Sequence, residues 1–564
     1  MWVEEFGEVL DMFKGSWPLT WLFLVPVLIM ISPVQAAHEF SAYRMQQFDL
    51  HGTQFGCRNA LVNMEARPIN TPVLTRRCII TRLADLTAIG YREMMEQSAG
   101  GLLILLPKDL STLPQDVLKH WLELEPQMME QETTMPVYFA HEDEKLLAIL
   151  EEINKAGSSD QAGTAAEALL SAVYGNGFQM VVSGPQAKAI KDAPIISLQG
   201  KLTGKGVEDQ LPTIAIVAHY DTFGIAPHLS FGADSNGSGV AALLELSRLL
   251  SKLYTNSRTH AKFNFLFLLS GGGKYGYQGT KRWIEDSLES TGTESTLLSD
   301  VSFVLCLDSI GASNDLFLHV SKPPKEGSTS HQIYKELETV SNSLYPSVNF
   351  SMIHKKINLA DDLLAWEHER FSMRRLPAAS LSHLKIHRDE YRTSILDDRS
   401  RVDVDVLARN VKIIAEALGR HIYGISKNSL DKQPEIFVDG MGVNRDFLAS
   451  WVNYLSTNPR PAQLMVSKDQ PVLSTLEQTL SKHLMKEVKM LSIKADKREP
   501  EFVFYDGLKF TMYAYNVKPA VFDLFLAAGI AGYLGLVYLA VMHFSTFMAF
   551  VKRFSVPSTK HKES

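Results

Sequence analysis

Three runs near the middle of the chain, 214–217, 263–269 and 301–307, are apolar at almost every position, broken only by Asn264 and Ser302. A strand can be apolar on both faces only if both faces are covered, as in a mostly parallel sheet flanked by helices. Helical spacing fills the intervals. Residues 239–250 put Leu243, Leu246 and Leu250 on one stripe, and Leu407, Val411, Ile414 and Leu418 form another, which Gly419 is expected to end. The fold class expected over 190–425 is therefore α/β, a mostly parallel, doubly wound sheet with its functional groups at the carboxyl ends of the strands. Upstream, apolar runs at 78–80, 102–106 and 136–140 alternate with helical stretches such as 142–153, which predicts a smaller α/β lobe over 37–189. Residues 426–518 read as mainly helical and polar, with Leu473, Leu476, Leu480 and Leu484 at helical spacing, forming a membrane-proximal stalk or a cap on the core.

The chain has 564 residues, 45% hydrophobic and 21% charged, enough for several globular domains. A formal charge of -7, from 56 Lys+Arg against 63 Asp+Glu, offers no polycationic face, so nucleic acid is not an expected partner. Three cysteines allow at most one internal disulfide. Cys306 lies in an apolar run and reads as buried filler, while pairing of Cys57 with Cys78 stays open.

Two apolar segments bear on the compartment. Residues 17–31 precede Ser32-Pro33-Val34-Gln35-Ala36-Ala37, a small-residue stretch suited to cleavage after Ala36 or Ala37, so 1–36 reads as a signal peptide. The acidic lead Glu4, Glu5, Glu8 and Asp11 departs from the usual basic start and leaves an uncleaved anchor as the alternative. Residues 521–541, with Asp523 as their one carboxylate, would reach roughly 31 Å as a helix, enough to span a bilayer. Lys552, Arg553, Lys560 and Lys562 follow, against Lys509 and Lys518 before, which puts the tail 542–564 in the cytosol and the body in the lumen. Asn236-Gly237-Ser238 and Asn349-Phe350-Ser351 are then glycosylation acceptors.

The chemistry-bearing residues stand where strands should end. His219-Tyr220-Asp221 closes the first run, Gly232-Ala233-Asp234-Ser235-Asn236-Gly237-Ser238-Gly239 turns into a helix, and Leu307-Asp308 closes the third run. A His-x-Asp alone is weak, but this order of strand, motif, glycine-rich turn and strand-Asp resembles the M28 family of zinc aminopeptidases. That resemblance implies one metal held by His219, a bridging Asp234 and Asp308, with Asp221 orienting the His219 ring. The second half departs from the family pattern. Gly273 stands where the catalytic glutamate belongs, Lys274 at a metal ligand, and Arg392, in Glu390-Tyr391-Arg392-Thr393, where the last histidine belongs. His383 and His387 are the alternatives for that last place.

A dication beside Lys274 and Arg392 would cost about 4 kcal/mol per unit pair at 4 Å, even at an effective dielectric near 20. No metal or other cofactor is therefore expected. An ion-pair network of Lys274 and Arg392 with Asp221, Asp234 and Asp308 is expected in its place, with no catalytic residue. A glutamate reaching the pocket from elsewhere would bear against that expectation.

Longer blocks, among them Ala37-His38-Glu39-Phe40, Tyr43-Arg44-Met45-Gln46-Gln47, 365–371 and 494–498, resemble the nicalin family, nicastrin-related membrane glycoproteins of the endoplasmic reticulum. The resemblance implies a non-catalytic, single-span subunit that assembles with the nodal modulator protein and a small multi-spanning protein. It also implies work beside the ribosome-bound translocon in multi-pass membrane protein biogenesis, and a link to Nodal signalling. A residual one-metal hydrolase on His219, Asp234 and Asp308, or a receptor for peptide termini, are the alternatives.

Overall fold

The computed structural model describes residues 36–543 apart from 160–176, 208–209, 290–297, 299, 362, 426–434, 485–487, 495–497, 499–500 and 518–519. The signal-peptide and cytosolic-tail segments expected from the sequence lie outside the described residues except for Ala36, Met542 and His543.

In chain order the strands are β1 (Ala36–Arg44), β2 (Gln47–Leu50), β3 (Thr53–Cys57), β4 (Asn63–Pro68), β5 (Cys78–Arg82), β6 (Gly101–Leu106), β7 (Glu132–Thr133), β8 (Val137–His141) and β9 (Gly177–Val182). There follow β10 (Pro194–Leu202), β11 (Thr213–His219), β12 (Asn264–Ser270), β13 (Val301–Leu307), β14 (Asp315–Val320), β15 (Asn349–His354), β16 (Ala378–Ser382), β17 (Val488–Lys494), β18 (Phe502–Phe504) and β19 (Lys509–Val517).

The large sheet runs β15-β14-β16-β13-β11-β12-β10-β17. Its centre, β16-β13-β11-β12, is parallel, while β14 against β16, β10 against β12 and β17 against β10 are antiparallel. β11, β12 and, but for Ser302, β13 are buried along their whole length, as their unbroken apolar runs require. β11 has β12 on one side and β13 on the other, so the chain leaves it in opposite directions and opens a crevice at its carboxyl end. His219 is the last residue of β11 and stands in that crevice.

Helix Gly239–Thr255 buries Leu243, Leu246 and Leu250 in the main core. Helix Val404–Tyr423 does not stop at Gly419. It continues to Gly424, whose φ of 59° closes it, and Gly419 is inside because a Cβ there would come within 2.8 Å of Ile436.

The smaller lobe is a closed barrel, β1-β19-β9-β4-β5-β6-β8, beside a short sheet β18-β2-β3-β7. Its last-made strand comes from the far end of the chain, and this corrects the expectation for 426–518. Helices Arg445–Thr457 and Pro471–His483 do pack on the main core, but β17 then joins the large sheet, β18 pairs with β2, and β19 fills the gap between β1 and β9. An open gap there would leave two unpaired edges. Ala36 pairs with Tyr515, so the start of β1 and the end of β19 lie side by side. The segment expected to span a membrane falls in helix Ala520–Met542, several of whose side chains are outside the described residues. Over what is described, no helix is long and apolar enough to cross a membrane. Cys57 and Cys78 are buried and free, and the Cys57 thiol donates to the carbonyls of Asn59 and Met135. Cys306 is buried and free as well.

Glu125, on helix Gln115–Met129 of the smaller lobe, is 2% exposed and clasps the larger domain. Its carboxylate accepts the Ile225 N–H (2.9 Å), the Ile395 N–H (3.1 Å) and the Ser394 hydroxyl. Burial outweighs these bonds and pushes the carboxyl up to about 7. With the folded value above the unfolded one, the native state binds more protons between roughly pH 4.5 and 7, so Glu125 makes stability fall as pH rises through that window. Gln at this position keeps the acceptor and can donate to Ser394. Glu125→Gln is expected to match the wild type near pH 5 and to be more stable at pH 8 by on the order of 2 kcal/mol in chemical denaturation.

Candidate functional site

Gly232, with φ 55°, starts the turn that carries Asp234 into helix Gly239–Thr255. A Cβ there would meet Thr222 at 2.4 Å, so only glycine fits. The turn brings His219, Asp234 and Asp308 into one region, but each is engaged separately. Asp234 accepts the Gly311 N–H (2.8 Å) on one oxygen and bonds His383 Nε2 (2.6 Å) on the other. Burial lowers the His383 pKa, but the bond and charge of Asp234 raise it further, leaving it above its ordinary value. Asp308 pairs with Arg392 and accepts the Ser309 hydroxyl at 3.0 Å. Burial alone would raise the Asp308 carboxyl. Arg392, His219 and Lys274 outweigh it and hold the group well below the usual carboxylate range.

Arg392 is held through both terminal nitrogens, while its Nε is buried without a partner. It donates to the Tyr277 hydroxyl (2.7 Å) and to the carbonyls of Ala365 and His387 (both 3.1 Å), and it stacks 4.7 Å over the Trp366 ring. Lys274 differs from expectation, since its ammonium reaches no carboxylate. It donates to Ser235 Oγ (2.5 Å) and to the Arg392 carbonyl (2.9 Å). Burial and Arg392 draw its pKa down to about 8 against the pull of Asp308, Asp221 and Asp397. Asp221 likewise does not orient the His219 ring. It accepts the N–H groups of Gly273 (2.7 Å) and Lys274 (3.1 Å) and so pins their turn. His387 faces Lys355 at 3.2 Å, away from the acids.

Three further residues complete the site. Asp397 accepts the N–H groups of Asp234 (3.0 Å) and Ser235 (2.7 Å), and burial with the nearby Asp234 pushes it up to about 7. Asn236 is fully buried. Its Nδ2 donates to the carbonyls of Leu307 (2.7 Å) and His219 (3.1 Å), and its Oδ1 accepts from Ser309 and Gly239. This corrects the reading of Asn236 as a glycan acceptor, because Nδ2 is enclosed and committed. Asn349, at the start of an edge strand, is exposed. Glu367 is the glutamate that arrives from elsewhere. It is 1% exposed, accepts the hydroxyls of Ser270 and Thr280 (both 2.6 Å), and lies 3.6 Å from His219 Nδ1.

Glu367 does not line the small cleft beside Asp234. The cleft between the Asp234 turn and the 389–401 segment has closed to about 10 Å³, at the limit of what one water requires. At Gly273, the position that motif alignment matches to the family's catalytic glutamate, a Cβ would lie 2.4 Å from the His219 side chain, so no side chain fits without a shift. His219 Nε2 is buried without a hydrogen-bond partner, as is Glu367 Oε2, and both are atoms that a metal would suit. The expected co-ligands of His219 are held by His383 and Arg392, and among the described residues no three His, Cys, Asp or Glu side chains are grouped to hold an ion. The residues present do not fit zinc.

The sequence pattern of Peptidase family M28 matches residues 198–418. BOS complex subunit NCLN of Homo sapiens is 54% identical over 562 residues, covering 98% of this chain and 99% of that one. BOS complex subunit ncln of Danio rerio is 54% identical over 576 residues, covering 99% of each chain. Nicalin of Caenorhabditis elegans is 31% identical over 559 residues, covering 95% and 96%. Among solved structures, the gamma-secretase component nicastrin superposes with a TM-score of 0.59 at 12% identity, covering 84% of this chain and 99% of that one, which is a likeness of fold.

If the Arg392–Asp308 pair carries the site, a double-mutant cycle will show it. Arg392→Met alone strands a buried carboxylate and is expected to cost about 3–5 kcal/mol in urea unfolding, while Arg392→Met/Asp308→Leu recovers most of that loss. Additive losses would mean that the pair is not coupled.

Proposed function

The chain belongs to the nicalin family, and from that membership we propose that it is a non-catalytic, membrane-anchored subunit of a multi-protein complex. The observation that carries the non-catalytic half is the sealed cleft, with Arg392 on Asp308 and no space for a side chain at Gly273. An enzyme of M28 type needs an open position where a metal-bound water meets a base, and general-base help alone is worth about 10²- to 10⁴-fold. The same closure weighs against a one-metal hydrolase and against capture of a peptide terminus.

The relatives named as BOS complex subunits support the assembly half. Its partners would be the nodal modulator protein and a small multi-spanning membrane protein, beside the ribosome–translocon machinery during multi-pass membrane protein biogenesis, with a link to Nodal signalling. Helix Ala520–Met542 would be the anchor. In support, Leu524, Ile530, Leu534, Leu536, Leu539 and Met542 are each at least half exposed, and a helix apolar all round has no aqueous use. The basic tail after it favours a single-pass type I arrangement in the endoplasmic reticulum, with the bulk of the chain lumenal.

Affinity purification of the full chain from gently solubilised membranes tests the assembly. Stoichiometric companion membrane chains are expected, with no aminopeptidase turnover before or after zinc is added. Zinc-dependent turnover lost in Asp234→Ala would reverse the reading. A glycosidase mobility shift tests the lumenal placement. Asn349→Gln is expected to abolish the shift, and a shift that persists would require an acceptor other than Asn349.

A further inference from the structure

A groove lies beyond the carboxyl end of β14, away from the closed cleft. It is about 810 Å³, bounded by the 321–330 loop, by Lys356 and Ile357 after β15, and by the 372–379 segment that leads into β16. Its floor is apolar, with Phe303, Leu318, Val320 and Leu376. Its rim carries Lys322, Lys325, Lys356 and Arg375, and no aspartate or glutamate lines it. All four cations are exposed, and none of them has an ion pair among the described residues. The Ser321 hydroxyl, in the same lining, is buried without a hydrogen-bond partner. Pro323, Pro324 and Pro377 stiffen the walls, so that little order would have to be imposed on binding.

We propose that this groove docks an extended, acidic segment of a partner chain, its apolar side chains on the floor and its carboxylates at the Lys322, Lys325, Lys356 and Arg375 rim. The inference rests on the assembly reading and names a surface for it. An extended chain sends successive side chains to opposite sides, which matches an apolar floor below a cationic rim. Four like charges around a concave apolar surface also concentrate a positive potential that carboxylates would neutralise. A bilayer surface would meet the cations but could not fill the floor. A glycan on Asn349 would leave the groove open. Asn349 pairs with Asp315 at the start of β14, while His354 pairs with Val320 at its end, roughly 17 Å away at strand rise.

The test uses the full chain in detergent and a short fluorescein-labelled peptide alternating leucine with aspartate and glutamate, followed by fluorescence anisotropy. Saturable binding is expected, weakened roughly tenfold or more in Lys322→Glu/Lys356→Glu at an unchanged melting temperature. It should be unchanged in Lys119→Glu, an exposed position on the smaller lobe. The same peptide with lysine in place of its acids should not bind. Absence of saturable binding, or equal affinities of the two variants, overturns the proposal. So does loss of phosphatidylserine-vesicle binding in the double variant while peptide binding persists. Companion chains that still co-purify after such a failure would leave the assembly reading standing without this surface.

Discussion

The pairing of Arg392 with Asp308 organises the crevice at the end of β11. Asp308 directly follows β13 and is 1% exposed, and a carboxylate there is tolerable only beside a cation or a metal. Arg392 supplies the charge and, through its planar fork, also binds Tyr277, Ala365 and His387 while lying on Trp366. Its own carbonyl receives the Lys274 ammonium, which in turn reaches Ser235 in the turn that bears Asp234. One guanidinium thus joins the Asp308 strand end, the Trp366 segment and, through Lys274, the Asp234 turn.

That arrangement is tied to the smaller lobe and, through it, to the end of the chain. Glu125 holds the loops at Ile225 and at Ser394–Ile395, the second of which immediately follows the Arg392 turn. The barrel that carries Glu125 is closed by β19, the last strand before helix Ala520–Met542. The crevice and the lobe, with β19 among its strands, are therefore connected through short, well-paired contacts.

Much of the central fold was legible because it is written in continuous apolar runs, and β11, β12 and β13 lie within a residue or two of them. The C-terminal strands were harder to read. Lys509–Val517 does alternate, with Phe510, Met512 and Ala514 inward, but the helical leucines upstream dominate the region, and a pairing with β1 across the whole chain has no local signal. At the site, the departures at Gly273, Lys274 and Arg392 could be read from motif alignment. The individual partners could not. Lys274 reaches a hydroxyl and a carbonyl rather than an acid, Asp221 pins a turn rather than a ring, and His383 takes Asp234. Asn236 fits the acceptor pattern, yet that pattern carries no information about burial. Glu367 lies in a block noted only for its family resemblance and Asp397 in an unremarked stretch, and both become site residues only through tertiary contact.

The substitutions also hold one another in place. A glutamate at 273 would first have to displace the His219 ring, because the turn has moved onto the space that a Cβ needs. A histidine at 392 would keep the backbone carbonyl that Lys274 bonds but would leave the buried Asp308 without its guanidinium. Asp234 would have to surrender His383 before it could bridge two ions. A crevice filled by such a hydrogen-bonded network contributes rigidity to the surface around it, the property that the proposed assembly role would draw on.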